Sequence, residues 1–258
     1  MRNFEKVVEN IFRLCIPFEN IYTSVFLIIV EDKAILIDGA NSPKLAVEYV
    51  FPALNEIGIK PNIIINSHAH GDHSGGVFEL AKLFPFAKIG MMKCNRLYDE
   101  NNKQCLVLED SEIVFDEIMI LNLKGHSEDS LAVYDMRTKT LITSDCLQLA
   151  GIGRYGTAVT NAKEYLNSLQ RIKEMNVKNI ISSHEYVPFG YKAIGCNSVN
   201  KYIDKCEEII MDIKNHILNS NSDDYEEIAR HYNNANKELP QIYEETIESV
   251  KKLLDENF

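Results

Sequence analysis

The sequence predicts an α/β protein with a helical C-terminal extension, and three observations carry that prediction. Short apolar runs rich in β-branched residues alternate with helical segments up to about residue 198. Histidines and aspartates fall just past those runs, at the edge where α/β proteins place their ligands. From about Val199 onward the pattern is helical throughout. The expected domains are therefore residues 1–198, mixed strands and helices, and residues 199–258, the helical extension.

Taken in order, the first 40 residues suit strands, with SVFLIIV and AILID on either side of a turn at Glu31–Asp32–Lys33. Ser42 and Pro43 start a helix as N-cap and first helical residue, Pro52 kinks it, and Gly58 stops it. NIIIN, after Pro61, has the uniform apolarity of a buried parallel strand. A helix is expected from Ser74 to Phe84, then a strand in AKIGMM. IMILNL, LAVYDM and KTLITSD follow as strands, the last two joined by a turn at Arg137–Thr138–Lys139. Asn161, with Glu164 three residues on, caps a helix that runs through YLNSLQRIKEM. VKNIISS is the next strand. In the extension, Ile203, Cys206, Ile210, Ile213 and Ile217 share one helical face.

Composition narrows the function. The chain has 258 residues, with 27 Lys+Arg against 38 Asp+Glu, for a net charge of −11. No basic stripe offsets that acidity, so nucleic acid is not the expected partner. No apolar run approaches the roughly 20 residues of a membrane span. The start, MRNFEKVVEN, carries charges where a secretory signal would be apolar, so a cytoplasmic location is expected. Six cysteines form no CxxC pair and are expected to be free buried thiols. His216 and His231, without flanking ligand types, suit ordinary surface positions.

The chemistry is concentrated in Ser67–His68–Ala69–His70–Gly71–Asp72–His73–Ser74. Four potential metal ligands lie within six residues, His68 to His73, between a strand and a helix. Divalent metals want neutral imidazoles and a carboxylate converging on one point. Alternate residues of a tight turn share a side, so His68 and His70 can reach one metal while Asp72 and His73 reach another position. Ala69, Gly71, Gly75 and Gly76 let the backbone turn sharply. Downstream, His126, Asp145 and His184 each stand just past an apolar run.

This order, HAHGDH, then Gly125–His126, then Asp145, then His184, resembles the metallo-β-lactamase superfamily over roughly residues 10–190. The resemblance implies an αββα four-layer sandwich with its site on one edge of the two sheets. It implies that His68, His70 and His126 hold one metal, that Asp72, His73 and His184 hold a second, and that Asp145 bridges them. Asp38, in LIDGA, would support the ligands from behind. The stretch GHSEDS departs from the commoner GHTPGS and leaves the histidine in place. The implied activity is hydrolysis by a metal-bridging hydroxide at two divalent ions, zinc foremost and iron or manganese otherwise, with Asp72 orienting the attack.

The segment around Arg154 and the HEY of His184–Glu185–Tyr186 are similar to the hydroxyacylglutathione hydrolases, the glyoxalase II group. Arg154 and Tyr186 are the candidate substrate-binding residues on that likeness. The group's C-terminal arginine–lysine substrate motif is not recognisable here. An ester, thioester or lactone of a small-molecule substrate is the expected bond. The alternatives are a phosphodiesterase, a mononuclear-iron persulfide dioxygenase, or a non-catalytic relative of the fold. A homodimer is left open.

Overall fold

The computed structural model describes residues 3–18, 21–148, 157–186, 189–236 and 241–256. The described chain forms two β-sheets, of seven and six strands, with helices between and after the strands. Its residues group into two units, residues 1–122 with 129–138 and residues 123–128 with 139–258.

The first unit opens with an antiparallel meander: β1 (Glu5–Val8), β2 (Ile11–Phe18), β3 (Ile21–Val30) and β4 (Lys33–Ile37). The pairing Val30↔Lys33 closes the turn expected at Glu31–Lys33. The helical stretch after Ser42 consists of α1 (Pro43–Leu45), a π turn at Ala46–Val50 and α2 (Phe51–Glu56). The sequence suggests one kinked helix here. Pro52 lacks an N–H and crowds the carbonyl four residues back. It sits instead in the first turn of α2, after the π turn, where no N–H is missed. The Ser42 hydroxyl accepts from Leu45 N at 3.3 Å, and Gly58, at φ +69°, ends the stretch.

β5 (Ile63–Ile65) joins β4 in parallel, as its uniform apolarity foretold. α3 (Gly71–Ser74) and α4 (Val77–Leu83) follow where one helix from Ser74 to Phe84 was expected. Gly75 and Gly76 separate them because the chain there lies against the loop after β4. A Cβ on Gly76 would run into the Gly39 carbonyl. β6 (Lys88–Met91) and β7 (Cys105–Val107) complete the parallel half of the sheet. Leu27, Leu36, Val50, Leu54, Leu80 and Phe84 belong to one apolar cluster that binds the helices to the strands. β8 (Ile113–Val114), β9 (Ile118–Asn122) and β10 (Leu131–Asp135) form a second antiparallel run in this unit.

The second unit runs β11 (Thr140–Ser144), α5 (Ala162–Glu174), β12 (Asn179–Tyr186) and β13 (Gly190–Ile194). β11 and β12 are parallel, and β13 returns antiparallel to β12. The Asn161 side chain caps α5 by accepting from Glu164 N at 3.1 Å. Three helices follow: α6 (Cys196–Leu218), α7 (Tyr225–Ala235) and α8 (Glu244–Asp255). The expected stripe on α6, Ile203, Cys206, Ile210, Ile213 and Ile217, is buried along its length.

These helices also fasten the loops before α5. Thr246 Oγ1 accepts from Val159 N at 3.1 Å and donates to Thr157 O at 2.7 Å. Ser249 Oγ accepts from Ala162 N at 2.6 Å. All six cysteines are free, but burial is not uniform as expected: Cys146 and Cys206 are buried, whereas Cys94 and Cys196 are exposed. Among the described residues no helix is long and apolar enough to cross a membrane.

Candidate metal centre

In the first unit the site starts at the end of β4. Asp38 adopts φ +67°, a left-handed conformation that Asp tolerates better than most residues. Its Oδ1 accepts from Ser67 N at 2.8 Å, and its Oδ2 accepts from Ser67 Oγ at 3.0 Å and from His73 Nδ1 at 2.8 Å. Asp38 therefore holds both Ser67 and the His73 ring in place. Because Ser67 Oγ spends its proton on Asp38, its 3.0 Å contact with His68 Nδ1 must be donated by the ring. His68 and His73 thus share one tautomer, with the proton on Nδ1 and the lone pair on Nε2.

His68 packs edge-on against His70, ring centroids 4.6 Å apart, and tilted against His73 at 4.3 Å. His73 Nε2 lies 3.2 Å from Asp72 Oδ2, and Thr23 Oγ1 donates to that oxygen at 3.5 Å. His68 and His73 are buried, Asp72 is half-buried and His70 is exposed.

The backbone of this loop is held by residues that the sequence did not single out. Asp129 Oδ2 accepts from Ala69 N at 2.9 Å, and Arg96 Nη2 donates to Ala69 O at 2.8 Å. Asn66 Nδ2 donates to His68 O at 2.9 Å, while its Oδ1 accepts from Asn95 Nδ2 at 3.0 Å. One signal was visible: Asp129 occupies the glycine position of the commoner GHTPGS.

In the second unit the ladder between β11 and β12 shifts register between Ile142 and Ser144, and Ser144 has φ +48°. That irregularity delivers Asp145 at the strand end, as such shifts re-aim side chains. His184 lies where the β12–β13 register shifts, between Ile181 and Tyr186. Asp145 Oδ1 is 3.5 Å from His184 Nε2, and Asp145 Oδ2 is 3.9 Å from His126 Nε2. His126 Nδ1 donates to Ala158 O at 2.8 Å, the same tautomer as His68 and His73.

Tyr186, read from the sequence as a substrate contact, is 0% exposed, and its hydroxyl donates to Asp145 Oδ1 at 3.2 Å. Arg154 lies outside the described residues. His231 is exposed, as expected, whereas His216 is partly covered, its ring 5.3 Å from that of Tyr232.

This donor set suits divalent cations: imidazole Nε2 lone pairs beside carboxylates. The Nδ1–H groups are held by a carboxylate, a hydroxyl and a carbonyl, the partners that orient metal-binding histidines.

Residues 20–93 match the sequence model of the metallo-beta-lactamase superfamily. Hydroxyacylglutathione hydrolase 1 of Vibrio vulnificus is 30% identical over 169 residues, covering 63% of this chain and 62% of that one. An atrochrysone carboxyl ACP thioesterase of Pseudocercospora fijiensis is 26% identical over 165 residues, covering 63% of this chain and 47% of that one. Each match thus spans less than two thirds of the relative. The metallo-beta-lactamase of Hirschia baltica superposes with a TM-score of 0.59 at 20% identity, covering 79% of this chain and 97% of that one. That likeness establishes the fold, the αββα arrangement implied by the sequence motifs.

Proposed function

Taking the chain as a metallo-β-lactamase superfamily protein, we propose that it is a dinuclear metal-dependent hydrolase of a small-molecule ester, thioester or lactone. The observation that carries this reading is the supply of ligand-type side chains. The first unit supplies His68, His70, Asp72 and His73, and the second supplies His126, Asp145 and His184. In the proposal His68, His70 and His126 serve one cation, Asp72, His73 and His184 the other, and Asp145 both. Zinc is the metal proposed, given the predominance of imidazole.

When bound, two such cations acidify a shared water and polarise the scissile oxygen. The chain's own residues do the rest. Asp38, Ser67 and the Ala158 carbonyl keep the protons of His73, His68 and His126 on Nδ1. Asp72, whose Oδ2 accepts from Thr23 Oγ1 at 3.5 Å, is proposed to accept a hydrogen bond from the attacking nucleophile and so to orient it. Arg154 is proposed to bind the remote part of the substrate. Tyr186 is proposed from its motif to do the same, although its hydroxyl already bonds Asp145.

A thioester is the favoured substrate class because both relatives described above bear thioester-cleaving names, and the cytoplasm is the proposed location.

The test is elemental analysis of protein purified without chelator, followed by turnover of thioester, lactone and phosphodiester panels. About two metal equivalents per chain are expected, with thioesters turned over fastest. Asp145→Ala should lower kcat by about 10³-fold or more, since several kcal/mol of charge stabilisation are lost. Arg154→Ala should mainly raise KM. One equivalent of iron with oxygen consumption would instead establish the dioxygenase alternative.

A further inference from the structure

Gln148 lies three residues beyond Asp145, in the turn that leaves β11, and is 6% exposed. Nothing in the sequence motifs draws attention to it. Its two amide ends are both in use. Nε2 donates to Asp145 Oδ2 at 3.2 Å, and Oε1 accepts from Ala158 N at 2.9 Å. The carbonyl of the same Ala158 accepts from His126 Nδ1 at 2.8 Å. The far side of that imidazole, Nε2, returns to within 3.9 Å of Asp145 Oδ2. Asp145, Gln148, Ala158 and His126 therefore form a closed circuit.

We propose that Gln148 is a positioning residue that fixes Asp145 and His126 relative to each other, so that the two present their metal-facing atoms as one preset pair. The proposal rests on the dinuclear reading above. The argument is one of valence. The circuit needs a neutral side chain with a donor at one tip and an acceptor beside it. Glutamate would turn an oxygen towards the Asp145 carboxylate, an unfavourable like-charge contact. Methionine has Gln148's length and offers neither group.

The backbone around the amide is itself anchored. Gln148 O accepts from the Tyr165 hydroxyl at 2.7 Å, and Leu147 O accepts from the Tyr202 hydroxyl at 2.9 Å. Burial above all holds both phenols well above 10.0, so both remain donors at any working pH. Tyr186 grips the other oxygen of Asp145, so the carboxylate is bonded at both ends. A polar side chain that only closed a local turn would have no need to reach a ligand carboxylate and a ligand's carbonyl partner at once.

The experiment compares full-length wild type, Gln148→Met, Gln148→Glu and Tyr165→Phe. Each is stripped with chelator and titrated with Co²⁺ and with Zn²⁺. Three quantities are read: the metal Kd by chelator competition, the visible absorption of the Co²⁺ form, and the Tm of the metal-free protein. Gln148→Met is expected to weaken metal binding by roughly tenfold to a hundredfold and to change the Co²⁺ spectrum. Gln148→Glu should do at least as much, although it keeps the acceptor for Ala158. Tyr165→Phe, which removes an anchor and leaves the circuit, should lower the metal-free Tm with little change in Kd.

Unchanged Kd and spectrum in both Gln148 variants would overturn the proposal, as would a loss confined to the metal-free Tm. If Gln148→Met does not fold, Gln148→Glu decides by the same readouts. A wild-type protein that takes up neither metal would overturn the dinuclear reading itself, an outcome distinct from equal binding by wild type and variants.

Discussion

Asp38 shows how one carboxylate can set the chemistry of its neighbours. It accepts three hydrogen bonds, from Ser67 N, Ser67 Oγ and His73 Nδ1, in a site 1% exposed. Removing such an acceptor leaves buried donors to bear their desolvation, at about 1–3 kcal/mol each. Asp38→Ala should therefore cost about 3 kcal/mol or more in urea unfolding. Asp38→Asn keeps a residue that tolerates the left-handed backbone and one of the two oxygens. It should lose less stability, yet bind metal roughly tenfold to a hundredfold more weakly in chelator competition. Equal metal affinity in Asp38→Asn and wild type would show that the histidine orientation does not depend on the carboxylate. At this scale the sequence was legible wherever residue type and spacing coincide, as in His68 to His73. It was not legible for Asn66, Arg96 and Gln148, and for Asp129 it showed only as a departure from GHTPGS. These residues act through loop backbone or through another side chain, and no periodicity marks a residue whose partner is 27 or 60 positions away, as for Arg96 and Asp129 with Ala69.

Among the elements, the approach of α4 to the loop after β4 matters most to the site. Gly39 N donates to His73 O at 2.8 Å, and Gly76 N donates to Ala40 O at 3.1 Å, so the motif is stitched to the strand that carries Asp38. A side chain on Gly76 would have to displace the Gly39 carbonyl, which is backbone and cannot rotate aside. Gly76→Ala is thus expected to destabilise the protein by about 3 kcal/mol or more, the range of severe overpacking. Gly71, whose added Cβ would meet open space, is the matched control, and Gly71→Ala should unfold within about 0.5 kcal/mol of wild type. Thermal melts of the two variants decide the point. The long elements were readable from pattern: β3, β4, α5 and α6 appear where apolar runs or caps put them. β7, β8 and β13 were missed. The first two are three and two residues long, too short for alternation to register, and β13 (GYKAI) has only one buried residue. The π turn before α2 was equally hidden, because the cost of Pro52 can be met by a kink or by rewinding.

For the whole molecule, the sequence suggested a boundary at residue 198, where composition turns helical and acidic. The second unit spans residues 139–258 together with 123–128, and hydrogen bonds tie the extension to the strands and loops of that unit. Tyr202 holds Leu147 O, Thr246 clasps both Val159 and Thr157, and Ser249 caps the entry to α5. A chain cut after residue 198 loses all of these at once, together with the apolar cover from α6. Truncation there should abolish the cooperative melt of the second unit and most metal uptake. Retention of full metal stoichiometry would mean that the tail is a dispensable cover. A composition shift marks a change in what a segment packs with, not whether it can be spared.

The grip of Thr246 on the Thr157–Val159 stretch also has a consequence in time. Ala158, whose carbonyl orients His126, lies between the two residues that Thr246 holds. The ribosome adds Thr246 some 120 residues after His126, since 246 − 126 = 120. At about 5–20 residues per second, that is a delay of about 6–24 s. Over the same interval the His68–His73 loop already has Thr23, Asp38, Arg96 and Asp129 to hold it, all within residues 3–138. The His68–His73 loop is thus fastened early, while the carbonyl partner of His126 waits for the last helix. Nascent chains arrested short of residue 246 should therefore be nicked by protease near His126 and spared near His68.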